Sequence, residues 1–131
     1  MGRADDSNGR TADASPWLRR LFAAIDAKDT PGFLEFLTDD ATFRFGNQPA
    51  LRGRAAISAA VQAFFASIKA CRHEVLGSWR HPDSVVCHGR VTYTRSNDTR
   101  VTVPFANVML MRGELVSEYF IFVDLAPLFA G

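Results

Sequence analysis

Long apolar runs are missing from this 131-residue chain, whose longest wholly apolar stretches span a few residues. A helix needs about 20 such residues to cross a bilayer, so no membrane span is expected. Met1 to Ser15 reads MGRADDSNGRTADAS, without the apolar stretch of a secretory signal. An excess of one charge is missing too. Fifteen Lys and Arg face fourteen Asp and Glu, a formal +1, so no bulk field recommends nucleic acid or anionic lipid as a partner. Cysteine is scarce: Cys71 and Cys87 make no disulfide framework and no CxxC, which suits reduced, buried thiols in a cytoplasmic protein. His73, His81 and His88 fit no zinc spacing, and neither a glycine-rich phosphate loop nor GxSxG occurs. Neither metal nor cofactor is expected.

Phenylalanine is present in quantity, with eleven Phe against two Tyr and two Trp. Phe adds apolar surface without a polar handle, so the chain can line a core or a greasy cavity. Residues 1–14 are polar and unpatterned and read as a disordered leader before one domain over 15–131. Ser15-Pro16 opens a helix bearing Trp17, Leu18, Leu21, Phe22 and Ile25, with Arg19, Arg20 and Asp26 towards water. Thr30-Pro31 opens a short second helix, and a third runs from past Gly53 to about Lys69.

Thr42 to Phe45 alternates as a short strand. Beyond Lys69 the period changes to two, predicting strands over Glu74–Arg80, Val85–Arg95, Arg100–Met111 and Leu115–Val123. His81-Pro82-Asp83, Ser96-Asn97-Asp98 and Arg112-Gly113 supply turns between them. Helices ahead of an antiparallel meander give the α+β class, three helices on one curved sheet. A hairpin turning at Pro82-Asp83 sets Cys87 opposite Ser78 and leaves Cys71 too distant for a disulfide.

Ile25-Asp26-Ala27-Lys28-Asp29, then Thr38-Asp39-Asp40-Ala41-Thr42-Phe43, Gly53 before the long helix and the ending GELVSEYFIFVDLAPLF form an ordered set over residues 16–129. In this the chain resembles the SnoaL-like branch of the nuclear transport factor 2-like superfamily. The resemblance implies a cone-shaped α+β barrel, its antiparallel or mixed sheet and helices enclosing an apolar pocket, frequently as a homodimer. Relatives include ketosteroid isomerases, limonene epoxide hydrolases, polyketide cyclases and members without chemistry, so pocket residues must choose among them.

The acid, tyrosine and second acid of the ketosteroid isomerases fall on Phe45, Leu21 and Ala106, which excludes that mechanism. The epoxide hydrolase arginine falls on Arg90 and one of its aspartates on Asp124. The other falls on Thr92, and its tyrosine and asparagine on Phe43 and Phe45. A cyclase asks only for an acid/base in a cavity that orients its substrate. Asp124 is the candidate if Glu118, Phe120, Phe122 and Asp124 share an inward strand face. Arg90 would orient it, and His73 would be a second proton carrier. The bland alternatives are Asp124 capping a turn, Arg90 on a wet face and His73 as a structural histidine.

Trp17, Phe43, Phe45, Phe65, Trp79, Tyr93, Asn107, Glu118, Phe120 and Phe122 are candidates for contact with a small hydrophobic molecule. Hairpin register leaves Asn107 and Ala106 competing for the inward face. Two functions stay open: cofactor-independent acid/base chemistry, or a binding and dimerisation module, with a homodimer expected through the sheet.

Overall fold

The computed structural model describes residues 10–11 and 15–130. Helix α1 spans Pro16–Asp26; the Ser15 hydroxyl accepts a bond from the Leu18 amide at 3.2 Å, and proline occupies the first turn. Its buried stripe is Trp17, Leu18, Leu21 and Phe22. Helix α2, Thr30–Leu34, is capped by Asp29, which accepts from the Gly32 amide at 3.0 Å. Helix α3, Arg54–Ser67, follows Gly53, whose φ of 89° lies where a side chain is strained. The α3 carbonyl end has a remote cap: the Lys28 ammonium donates to the carbonyls of Phe65 at 3.4 Å and Ile68 at 3.1 Å.

The strands are β1 (Arg10–Thr11), β2 (Leu37–Phe45), β3 (Leu51–Arg52), β4 (Ala70–His81), β5 (Ser84–Thr94), β6 (Arg100–Arg112) and β7 (Leu115–Val123). They form one mixed sheet in the order β1-β4-β5-β6-β7-β2-β3, with β2 parallel to β7 and the other pairs antiparallel. The α+β class and the three helices on a strongly curved sheet are as the sequence predicts. Strand β2 starts five residues earlier than the alternation suggested, with its register shifting between Leu37 and Thr42 where Asp39-Asp40 interrupts the pattern. Strand β3 is too short to leave a periodic signal. Arg10 and Thr11, assigned to the leader, pair with Trp79 and Ser78; the rest of that leader lies outside the described residues.

Register shifts between Val75 and Gly77 and between Leu110 and Met111 bend the sheet. The first depends on Gly89: a Cβ there would lie 1.9 Å from the Glu74 carbonyl oxygen. The helices cover the concave face, where Cys71, Val91, Tyr93, Val103, Phe105, Met109, Val116 and Tyr119 are buried with Leu18, Leu21, Phe33 and Ile57. Burying each such aliphatic side chain stabilises by about 1.5–3 kcal/mol. Cys71 and Cys87 are buried and unpaired, with Ser78 across the ladder from Cys87. No helix among the described residues is long and apolar enough to cross a membrane.

Candidate functional site

Burial of the concave face is incomplete. Between the sheet and the helices lies a cavity of about 480 Å³, walled chiefly by aromatic and aliphatic side chains: Phe22 and Ile25 from α1, Phe33 from α2, Phe43 and Phe45 from β2, and Val61, Phe64 and Phe65 from α3. Gln48 and Pro49 of the β2–β3 loop and Phe129 of the C-terminal turn are exposed and mark its mouth. Arg95 pins that turn, donating to the carbonyls of Pro127 at 2.6 Å and Leu128 at 2.9 Å.

One wall holds a polar cluster. His73 Nδ1 lies 2.6 Å from Asp26 Oδ1, and the His73 amide donates to Asp26 Oδ2 at 3.0 Å. Two bonds from one residue to both carboxylate oxygens fix the acid at the end of α1 against β4. The His73 ring stacks on Phe22, with centroids 4.7 Å apart, and meets the Phe105 edge at 5.1 Å. With Nδ1–H donated to the carboxylate, a neutral imidazole presents an unprotonated Nε2. That nitrogen makes no hydrogen bond among the described residues, and the ring lines the cavity.

Cys71 joins the cluster, its thiol donating to the Ile25 carbonyl at 3.6 Å and to Asp26 Oδ1 at 3.7 Å. Burial, then the Asp26 charge, pushes this thiol up to about 12, so it remains protonated. Asp26, Cys71 and His73 could together offer three ligand atoms to a metal ion. Here Asp26 bonds both of the others. Tyr93, paired across the ladder with Cys71, faces the same wall; burial, then Cys71 and Asp26, raises its hydroxyl above the ordinary phenol range. Further along the cavity, Asn107 Nδ2 donates to the Tyr119 hydroxyl at 3.4 Å.

The family profile of the SnoaL-like domain matches residues 18–119, most of the chain. The chain belongs to the SnoaL-like domain family. No curated protein matches it significantly. It is similar to a hypothetical protein with a ketosteroid isomerase-like fold from Catenulispora acidiphila, solved with trimethylamine: TM-score 0.80 and 18% identity over 90% of this chain and 92% of that one. TerC, co-crystallised with polyporic acid, gives a TM-score of 0.75 at 17% identity over 87% and 93%. A candidate SnoaL-like polyketide cyclase from a Jannaschia species gives 0.75 at 20% over 92% and 96%. At these identities the structures share the fold.

Within this SnoaL-like domain the expected site residues divide into two groups. His73, Phe43, Phe45, Phe65, Tyr93 and Asn107 line the cavity. Asp124, Arg90, Trp17, Trp79, Glu118, Phe120 and Phe122 do not, and their expected placement is corrected. The chain has left the sheet by Asp124, which is exposed and caps the C-terminal turn by accepting from the Ala126 amide at 3.0 Å. Arg90 points outward and pairs with Glu74 at 2.9 Å, not with Asp124. Strand β7 turns Tyr119 and Ile121 inward, which sends Glu118, Phe120 and Phe122 to the other face; Phe122 is 57% exposed. Trp17 packs against Phe36 under the Arg80 guanidinium, and Trp79 stacks on His88.

Asn107 takes the inward place and Ala106 the outward one. The bond partner of His73, Asp26, lies against the cavity wall and not towards water as the sequence suggests. Its helical position, four residues after Phe22, continues the buried stripe, and that spacing is the available signal.

Proposed function

We propose that this SnoaL-like domain binds a small hydrophobic organic molecule in its cavity and performs cofactor-independent acid/base chemistry on it, of the isomerase, cyclase, dehydratase or hydrolase kind. His73 carries the proton and Asp26 orients it, with Phe43, Phe45, Phe65, Tyr93 and Asn107 contacting the ligand. The observation that supports this is the His73–Asp26 pair at 2.6 Å on the wall of an otherwise apolar cavity. A carboxylate on one ring nitrogen fixes the tautomer and leaves the other nitrogen to take a proton, and water exclusion strengthens both interactions. The polyketide cyclase name of one similar structure agrees with this class of chemistry. Asp124 and Arg90, which lie outside the cavity, take no part in it.

The test begins with a panel of steroids, terpenoids and aromatic polyketides followed by melting temperature, since a ligand of the native state raises it with concentration. Turnover of any binder is then compared between the wild type and His73→Ala. A loss of about 10²–10⁴-fold is expected. Binding without any His73-dependent turnover supports the second reading, a ligand-binding or dimerisation module. That reading is favoured by the absence of the relatives' acids at Phe45, Thr92 and Ala106. We also propose a homodimer through the outer sheet face, where Val108, Leu110, Phe120 and Phe122 stand together in register. Sedimentation at micromolar concentration as a monomer contradicts it.

A further inference from the structure

The cavity has a second polar place, and it is incomplete. Asn107 is 2% exposed, one of its two amide ends donates to Tyr119, and its Oδ1 has no hydrogen-bond partner. It is the one such buried side-chain atom among the described residues. The bond to Tyr119, at 3.4 Å, is itself long. Buried amide oxygens without a partner are rare because the lost hydration is not replaced. The Tyr119 hydroxyl is the amide's one side-chain partner among the described residues, and its ring packs edge-on against Phe33 and tilted against Phe43, with centroids 5.7 and 5.6 Å away. Burial holds the Tyr119 phenol well above its ordinary range, so it stays a hydroxyl.

This place lies away from His73. The ladder sets His73 level with Val91 and Val103, whereas Asn107 is level with Cys87 and Ser78. Four residues of strand separate the two levels, about 13 Å along the strand, and two strand spacings of about 4.8 Å separate β4 from β6. A ligand that touches both must be longer than a single ring.

We propose that Asn107 reads a hydroxyl group on the ligand, so that the molecule this cavity takes is an apolar fused-ring compound carrying a hydroxyl at the end remote from His73. This rests on the cavity being the binding site, as proposed above. A hydroxyl suits the amide in either orientation: a small turn of the side chain brings Oδ1, closed off as it stands, onto the cavity to accept from it, and with the amide turned over Nδ2 donates to it while Tyr119 donates to the oxygen. An ether or ketone oxygen serves only the second orientation. The rest of the wall at this end is apolar, which selects against a charged group in the same place.

Three probes of one shape test it by calorimetric titration of the full chain: naphthalene, 2-methoxynaphthalene and 2-naphthol. The wild type is expected to prefer 2-naphthol about tenfold over naphthalene, the worth of one net hydrogen bond, with 2-methoxynaphthalene, which serves one orientation only, between the two. In Asn107→Leu the preference disappears while naphthalene binds at least as tightly, which also shows that the variant is folded. In His73→Leu the preference survives. Loss of the preference in His73→Leu alone, or in neither variant, overturns the inference, as does equal binding of 2-methoxynaphthalene and 2-naphthol. Failure of the wild type to bind even naphthalene overturns the cavity reading itself and not merely this extension of it.

Discussion

Replacing Asp26 by Asn tests the site at its centre. The carboxylate accepts two bonds from His73, through Nδ1 at 2.6 Å and the amide at 3.0 Å, and a weak third from the Cys71 thiol at 3.7 Å. An amide of the same shape can accept one of the two His73 bonds. Its nitrogen must then donate where the acid accepted, which obliges His73 Nδ1 to become an acceptor and moves the ring proton to Nε2. A charge-assisted bond is worth about 1.5–3 kcal/mol and a neutral one about 1 kcal/mol, so the exchange should destabilise the fold by about 1–2 kcal/mol. For a chain of this length that is about 4–8 °C in melting temperature.

The tautomer change is the sharper effect. Nitrogen-15 spectra of the His73 ring should show the proton on Nδ1 in the wild type and on Nε2 in Asp26→Asn. Any His73-dependent turnover should fall by about 10²–10⁴-fold with little change in ligand affinity. Removal of the neighbouring charge should also lower the Cys71 pKa, since that charge is the second largest cause of its elevation. Alkylation of Cys71 should therefore speed up. An Asp26→Asn protein with wild-type melting temperature, tautomer and thiol reactivity would refute the description of the cluster.

Alanine at Gly89 should abolish or severely weaken folding, by about 3 kcal/mol or more, because the clash at 1.9 Å is with backbone and no rotamer relieves it; urea denaturation measures it. Alkaline pH should destabilise the protein in a defined window. Burial raises Cys71 and Cys87 from 9.0 to about 12, so between those values the unfolded chain loses thiol protons that the native state keeps. Stability is then undiminished below pH 9 and falls above it by about 1.4 kcal/mol per pH unit for each thiol. Cys87→Ala should halve that slope between pH 9 and 10 in denaturant titrations; above pH 10 the buried Tyr93 and Tyr119 hydroxyls, also raised, add to it. Arg95→Ala removes the bonds to the Pro127 and Leu128 carbonyls; hydrogen exchange over 124–130 should accelerate, while the sheet amides keep their protection.

What the sequence made legible follows from how strongly each segment's pattern constrains it. The cap at Ser15, the turn at Pro82-Asp83 and the alternation in β5 each have one physical solution, and all three occur. Strand β7 has two. Tyr119-Phe120-Ile121-Phe122-Val123 is apolar at both parities, so alternation cannot say which set faces inward, and it is Tyr119 and Ile121, not Phe120 and Phe122, that do. Asp26 is only faintly legible for another reason: its spacing from Phe22 hints at the buried stripe, but its partner lies 47 residues away and a carboxylate on a helix is ordinarily solvated.

The position of His73 depends on a single residue. From the pair Ser78–Cys87, an uninterrupted ladder would set Glu74 against Val91 and put Arg72 and Glu74, not His73, on the concave face. The shift between Val75 and Gly77 inserts Leu76, sets Glu74 against Arg90 and turns Cys71, His73 and Val75 inward. One bulge thus builds the dyad with Asp26 and places the outer Glu74–Arg90 pair at 2.9 Å, and Gly89 makes room for it. Deleting Leu76 should therefore do more than shorten an exposed strand. It should reverse the parity of residues 70–75, present two charged side chains to an apolar cavity and expose the His73 ring. Burial of unpaired charge is costly enough that the strand should detach instead. The expected result is a protein that loses hydrogen-exchange protection over residues 70–75 while the β5–β6–β7 meander keeps its own. Retained protection there, with the His73 ring still in the tautomer set by Asp26, would show that the bulge does not position the site.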